Sequence, residues 1–217
     1  MNYRALLQFL KQLNINNNKE WFEDNRKTYE TLRKEWIELA QKCINEVAMF
    51  DDVISGLEPK KCIFRINKDI RFSKDKSPYK TNFGIQLNPM GKEAFCGYYL
   101  HLQPSGSFIS GGSYLPQGPM LAAIRQEIDY NFDEFSALLS NKNFKKYFGK
   151  LDGSELSRPP KGYLADNPAI SYLKHKDFLA TRKLDDKMIL STDFEKELIA
   201  TFKAMHPLVA FLRKAAE

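Results

Sequence analysis

Between Lys60 and Lys80 the chain carries eight cations, Lys60, Lys61, Arg65, Lys68, Arg71, Lys74, Lys76 and Lys80, against two carboxylates, Asp69 and Asp75. The resulting net charge equals the +6 of all 217 residues, so the rest of the chain is neutral on balance. An excess packed into about a tenth of the sequence creates a local field able to gather an anionic partner. Guanidinium forks and ammonium groups suit phosphate or carboxylate oxygens, and a phenol adds a neutral donor. The expected anion-binding residues are therefore Arg65, Arg71, Lys76, Tyr79, Lys74 and Lys80, with Asn67, Asp69, Asp75 and His101 in supporting positions.

A strand is expected to position them. From Cys62 the apolar pattern alternates, so Phe64, Ile66, Ile70 and Phe72 would face one way and Arg65, Asn67, Asp69 and Arg71 the other. Residues two apart on a strand lie roughly 7 Å from each other, so Asp69 can bridge one arginine but not both, leaving one positive charge over. Lys68 falls on the apolar face, which implies snorkelling or a bulge. The competing reading is a structural ion ladder, with the arginines paired to acids on a neighbouring helix such as Glu23 or Asp24.

Around that strand the sequence reads as helices, then sheet, then helices. Leu6, Leu7, Leu10 and Leu13 recur at helical spacing, Asn14 to Asn18 breaks the pattern, and Trp21, Phe22, Tyr29, Leu32, Trp36, Leu39, Ala40, Cys43 and Val47 form a second stripe, giving an amphipathic hairpin. Four strands are expected over 62–72, 80–88, 94–102 and 107–114, with turns at Ser77-Pro78, Asn88-Pro89-Met90-Gly91 and Gln103-Pro104-Ser105-Gly106. Short connections favour an antiparallel meander. The C-terminal half returns to helix. Pro119 suits a first helical turn, Asn167-Pro168 opens a short helix, Thr192-Asp193-Phe194-Glu195 matches a capping box, and Pro207 interrupts or kinks the last helix. Only 139–164 reads as irregular. The expected architecture is one α+β domain over residues 1–217, a four-stranded antiparallel meander flanked by the N-terminal hairpin and C-terminal helices.

Composition excludes several classes. At 43% hydrophobic and 13% aromatic residues the chain can fill a core. No apolar run reaches the roughly 18 to 20 residues of a membrane span, and residues 1–14 alternate rather than form a signal peptide's apolar block, so a soluble cytoplasmic protein without membrane partners is expected. Cys43, Cys62 and Cys96 have no metal-ligand spacing and read as small hydrophobes in a reducing compartment. No zinc, calcium, phosphate-loop or nucleophile-elbow motif is present, so no metal site is expected and the residues name no cofactor. Gly111-Gly112-Ser113-Tyr114 reads as a tight exit from the sheet or a close backbone approach to a ligand. Lys161-Gly162-Tyr163 reads as a loop turn or as a further cation and stacking phenol, and His101 could reach an anion on its sheet face.

The run Arg65-Ile66-Asn67-Lys68-Asp69-Ile70-Arg71-Phe72-Ser73-Lys74-Asp75-Lys76-Ser77-Pro78-Tyr79-Lys80 resembles the signature of the bacterial domain of unknown function 2461 family. Asn17-Asn18-Lys19-Glu20-Trp21-Phe22, Gly97-Tyr98-Tyr99-Leu100-His101-Leu102 and Arg158-Pro159-Pro160-Lys161-Gly162-Tyr163 extend the resemblance over nearly the whole chain. Lys68 departs from it, standing where the family favours arginine, which weakens bidentate anion binding there. The resemblance implies no assigned activity.

Three functions compete. The favoured one is binding of, or action on, a small phosphorylated or carboxylated molecule, with Arg65, Arg71, Lys76 and Tyr79 orienting the anion and Asp69 orienting the arginines. The alternative is a nucleic-acid module using the same strand and loop, with Tyr79, Phe72 or Tyr98 as stacking surfaces, or a non-catalytic interaction domain whose basic face docks an acidic partner. The absence of a second basic cluster favours a pocket over an extended stripe.

Overall fold

Asparagines punctuate the N-terminal helices of the computed structural model, which describes residues 1–89 and 94–216. In α1 (Tyr3–Ile15) the Asn2 side chain accepts from the Ala5 N–H at 3.0 Å, and Leu6, Leu7, Phe9, Leu10 and Leu13 are buried. Asn18 caps α2 (Lys19–Asp24) in the same way, accepting from the Trp21 N–H at 3.0 Å. Each cap satisfies an amide that the first helical turn leaves without a partner. After Asn25, α3 (Arg26–Ala48) buries Leu32, Trp36, Leu39, Ala40, Cys43, Ile44 and Val47, so the expected stripe is core-facing. The break between the first two helices falls where the asparagine run predicts.

The sheet is four-stranded and antiparallel, in the order β1 (Phe83–Leu87), β2 (Cys96–Leu102), β3 (Ser107–Ser113), β4 (Phe178–Leu184), and the class is α+β as expected. Its membership differs from the expectation. Residues 62–72 form no strand and touch the ladder pattern only at isolated bridges, Ile63 to Ile85 and Asn67 to Tyr79. Around the second bridge the Lys68 N–H donates to the Pro78 carbonyl and the Lys80 N–H to the Ile66 carbonyl, both at 2.8 Å, so 68–78 is an arm closed at its base. Of the four apolar side chains expected to face the core, Ile66 is buried while Phe64 and Phe72 are exposed. The charge explains this. Arg65, Lys68, Asp69, Arg71, Lys74, Asp75 and Lys76 fall on both faces of any strand drawn through them, and buried charges persist only when paired.

The missing strand is supplied by β4, from the half read as helical. There Phe178 and Ala180 are buried while the alternating Leu179 and Thr181 are half-buried. Between β1 and β2, the turn expected at Asn88-Pro89-Met90-Gly91 runs outside the described residues.

The C-terminal helices begin as read. Pro119 sits in the first turn of α4 (Gly118–Tyr130), followed by α5 (Phe132–Ser140) and by α6 (Lys142–Phe148), which puts a helix inside the stretch expected to be irregular. Asn167 accepts from the Ala169 N–H at 2.7 Å ahead of α7 (Ile170–Leu173). After β4 come α8 (Asp186–Ile189) and α9 (Phe194–Arg213), which continues through Pro207. The expected capping box does not close, because the Glu195 carboxylate accepts instead from Tyr3 Oη at 2.9 Å and Lys42 Nζ at 2.6 Å.

The chain divides into two compact units. One comprises Met1–Leu87, Tyr99–Ile109 and Lys183–Ile199, and the other Asn88–Tyr98, Ser110–Arg182 and Ala200–Glu217. In the first, Trp36 Nε1 donates to the Gly84 carbonyl at 3.2 Å, joining α3 to β1. In the second, buried Asp177 accepts from the Leu115 N–H at 2.7 Å and from Ser154 Oγ at 2.6 Å. Gly112, in that unit, has φ +122, and a Cβ there would lie 2.0 Å from the Phe178 carbonyl oxygen. Gly112 is thus required by the close approach of strand to strand, while a Cβ at Gly111 would meet Met205 Sδ at 2.2 Å, so the pair serves packing within β3.

Candidate anion-binding pocket

All ten residues singled out in the sequence lie in the first unit, which also holds a cavity of about 490 Å³. The seat of this cavity is Tyr79. Its ring is buried and stacks on Phe22 at 4.1 Å and 17°, while its N–H donates to Asn17 Oδ1 at 3.1 Å and its carbonyl accepts from Asn17 Nδ2 at 3.0 Å. The segment that opens α2 and the segment that closes the basic arm are thereby locked together, although 62 positions separate them. A single asparagine satisfies both backbone groups of one residue, as a strand neighbour would.

Cations from three places line the cavity: Lys19 and Arg26 at the start of the helical hairpin, Arg33 one stretch further along α3, and Lys60 and Arg65 from the segment before the arm. Glu23 is the acid among the lining residues, and it is already taken up: Arg26 holds it through Nε at 2.7 Å and Nη2 at 2.6 Å. Among the described residues no carboxylate lies within 4 Å of Lys19, Arg33, Lys60 or Arg65. Neutral groups share the walls. Burial pushes the Tyr29 phenol up, against the opposing charge and hydrogen bond of Arg33. Asn67 and Tyr79 also line the cavity. So does Phe64, 44% exposed, whose ring stands edge-on to Tyr99 at 6.0 Å and 82°.

Lys80 lies at the margin. Its Nζ sits over the Phe64 ring, 5.2 Å from the centroid, and burial together with the nearby Arg65 charge holds its pKa below the ordinary lysine value. Arg65, Asn67 and Tyr79 of the expected set therefore meet in one cavity, with Lys80 beside them.

The rest of the expected set is elsewhere. Asp69 holds Arg71 through Nε at 3.0 Å and Nη2 at 2.7 Å, with both side chains in solvent, and these contacts keep the Asp69 carboxyl below its usual range. One carboxylate for two arginines leaves one positive charge over, as the spacing predicts, and that charge is Arg65. The expectation that both guanidiniums project from one sheet face fails because no strand forms. Lys68 pairs with Asp75, whose carboxyl that contact and the Ser77 amide and hydroxyl hold low, so it is part of the arm's own ion pairing. Lys76 Nζ donates to the Ile70 carbonyl at 3.0 Å, and Lys74 is exposed. His101 belongs to a separate cluster: Nδ1 lies 2.9 Å from Tyr99 Oη, Nε2 lies 3.0 Å from Gln103 Oε1, and the ring stacks on Phe108 at 4.7 Å. These partners make it a neutral imidazole that accepts from the phenol and donates to the amide, and burial lowers its pKa.

Sequence reading missed Lys19, Arg26 and Arg33. A signal was present: they recur every seven residues, two helical turns, alongside the aromatic pair Phe22 and Tyr29. Interleaved Glu23, Asp24 and Glu30 cancel them in any local charge count. In the second unit, Lys161-Gly162-Tyr163 is a turn, with Gly162 at φ +94 and the Tyr163 N–H donating to the Pro160 carbonyl. Cys43, Cys62 and Cys96 are free and buried, and burial pushes the Cys43 thiol up to about 12. Among the described residues no group of three or more His, Cys, Asp or Glu side chains is placed to hold a metal ion, and no helix is long and apolar enough to cross a membrane.

The model of one family, described as "Conserved hypothetical protein (DUF2461)", matches residues 5–211. No curated protein and no solved structure matches the chain.

Proposed function

The chain belongs to the DUF2461 family of conserved hypothetical proteins, and from that premise we propose that its first unit binds a small phosphorylated or carboxylated molecule in the cavity beside Tyr79. The observation that carries this reading is the charge imbalance. Lys19, Arg33, Lys60 and Arg65 border one cavity without a carboxylate partner among the described residues, and the lining acid Glu23 is engaged by Arg26. Like charges held in a concave site repel more strongly than on an open surface, and a bound anion converts that repulsion to attraction. Arg33 and Arg65 are the residues suited to bidentate contact, Lys19 and Lys60 act as point charges, and Asn67, Tyr29 and Tyr79 are neutral donors. Lys80, depressed by burial and by Arg65, gains a counter-charge when the site fills. Arg71, Lys74 and Lys76 contribute only the field of the arm.

Titration calorimetry with inorganic pyrophosphate tests the reading. Arg33→Ala and Arg65→Ala should each weaken binding by roughly tenfold or more, the scale of a charge-assisted hydrogen bond, whereas Arg71→Ala should leave it within about twofold. No heat with the unaltered protein, or equal affinity in all variants, contradicts it.

One feature favours a second reading, the nucleic-acid module. Phe72 is 96% exposed in the arm, and the Arg71 guanidinium lies 5.9 Å from its ring centroid, a pairing suited to an unstacked base. A gel shift on single-stranded RNA at low salt that Phe72→Ala and Arg71→Ala abolish supports this reading. No shift at low salt dismisses it.

A further inference from the structure

Phe64 is the feature of the cavity that charge alone does not explain. It is an aromatic ring left 44% exposed, yet it is held in place from several sides. Gly84 makes room for it: a Cβ at that position would lie 2.8 Å from Phe64 Cδ2, so a side chain on β1 would displace the ring. Tyr99 meets it edge-on, Lys80 lies over its plane, and the bridge from Ile63 to Ile85 fixes the backbone just before it. An exposed ring with a prepared seat is a surface for another flat group, since aromatic faces stack in offset geometry. The volume points the same way. A cavity of about 490 Å³ falls in the range of sites for drug-sized ligands, far more than one phosphate fills. The four cations without carboxylate partners among the described residues match a polyphosphate chain, which carries about three to four negative charges at neutral pH, better than a single carboxylate.

We propose that the ligand joins a polyphosphate chain to a flat ring, the chemistry of a nucleoside di- or triphosphate, with the phosphates on Arg33 and Arg65 and the base on Phe64. This rests on the anion-binding reading above and adds a ring to it. Stacking on one side chain is tolerant of base identity, so the site takes purine and pyrimidine nucleotides alike.

The test titrates the intact protein with inorganic pyrophosphate and with ADP, GDP, CDP and UDP, in the unaltered chain and in Phe64→Ala and Phe64→Leu. The tightest nucleoside diphosphate is expected to bind roughly tenfold more strongly than pyrophosphate. Both variants should remove that preference while leaving pyrophosphate affinity within about twofold. Phe64→Leu keeps an apolar side chain in the Gly84 seat, so a loss there reports the lost aromatic face rather than a collapsed wall. Pyrophosphate binding without any nucleotide preference, or a preference that survives both variants, overturns the proposal and leaves the anion reading intact. Absence of pyrophosphate binding in the unaltered chain overturns both.

Discussion

Arg65 and Arg71 share a residue type and a local sequence, yet they have different surroundings. Asp69 is two positions from Arg71 and engages both its guanidinium and its backbone N–H, so Arg71 is neutralised on the surface and Arg65 faces the cavity. Asp69 stands two positions from Arg71 and four from Arg65, so the spacing itself leaves Arg65 as the arginine without a carboxylate. The residue that organises the pocket is one that composition does not flag. Asn17 makes both hydrogen bonds to the Tyr79 backbone, and its replacement leaves a part-buried N–H and carbonyl without partners. Asn17→Ala should lower stability by about 1–3 kcal/mol in urea denaturation and weaken pyrophosphate binding as Tyr79 loosens on Phe22. Unchanged stability would show that Asn17 does not hold the seat.

Most helices were legible where apolar spacing is regular, as along α1 and α3, and where Pro119 opens α4, but α6 was not. Strands were legible where alternating apolar runs are bounded by turn residues, as over 83–87, 96–102 and 107–113. The segment 62–72 alternates as well as any of these, but alternation reports a possible face and not a partner. β1 pairs with it only at Ile63, and the charges beyond cannot be buried. β4 escaped notice because Phe178, Ala180 and Leu184 are apolar at even spacing within a run whose Lys176, Arg182 and Lys183 also suit a helix. What fixes β4 is tertiary: its approach to β3 at Gly112 leaves no space for a side chain, and φ there is +122. Gly112→Ala should cost roughly 3 kcal/mol or more, lowering the melting temperature by about 6–12 °C or preventing folding. A melting temperature within about 2 °C of the unaltered chain contradicts that geometry.

At the scale of the whole chain the +6 charge marks the 60–80 segment, which lines half of the cavity. The other half comes from α2 and α3, where acids on the same turns hide the cations from any linear count. Acid sensitivity is also a property of the whole. His101 and His175 both have pKa values lowered by burial, so below about pH 6.5, the unfolded value, the unfolded chain binds more protons than the folded one. Stability should therefore fall as pH drops through 6.5 and go on falling until the folded histidines protonate. Around His101 no carboxylate among the described residues opposes this, whereas Glu155 lies 3.6 Å from His175 and offsets part of the penalty. His101→Gln should flatten the decline in melting temperature between pH 7 and 5, and an equally steep decline would contradict the assignment. The most direct measurement is a crystal structure of the protein grown with pyrophosphate. The anion is expected between Arg33 and Arg65, within hydrogen-bond distance of both, with Arg71 still on Asp69. Pyrophosphate bound only along the arm at Arg71 and Lys76, with the cavity left to water, would contradict it.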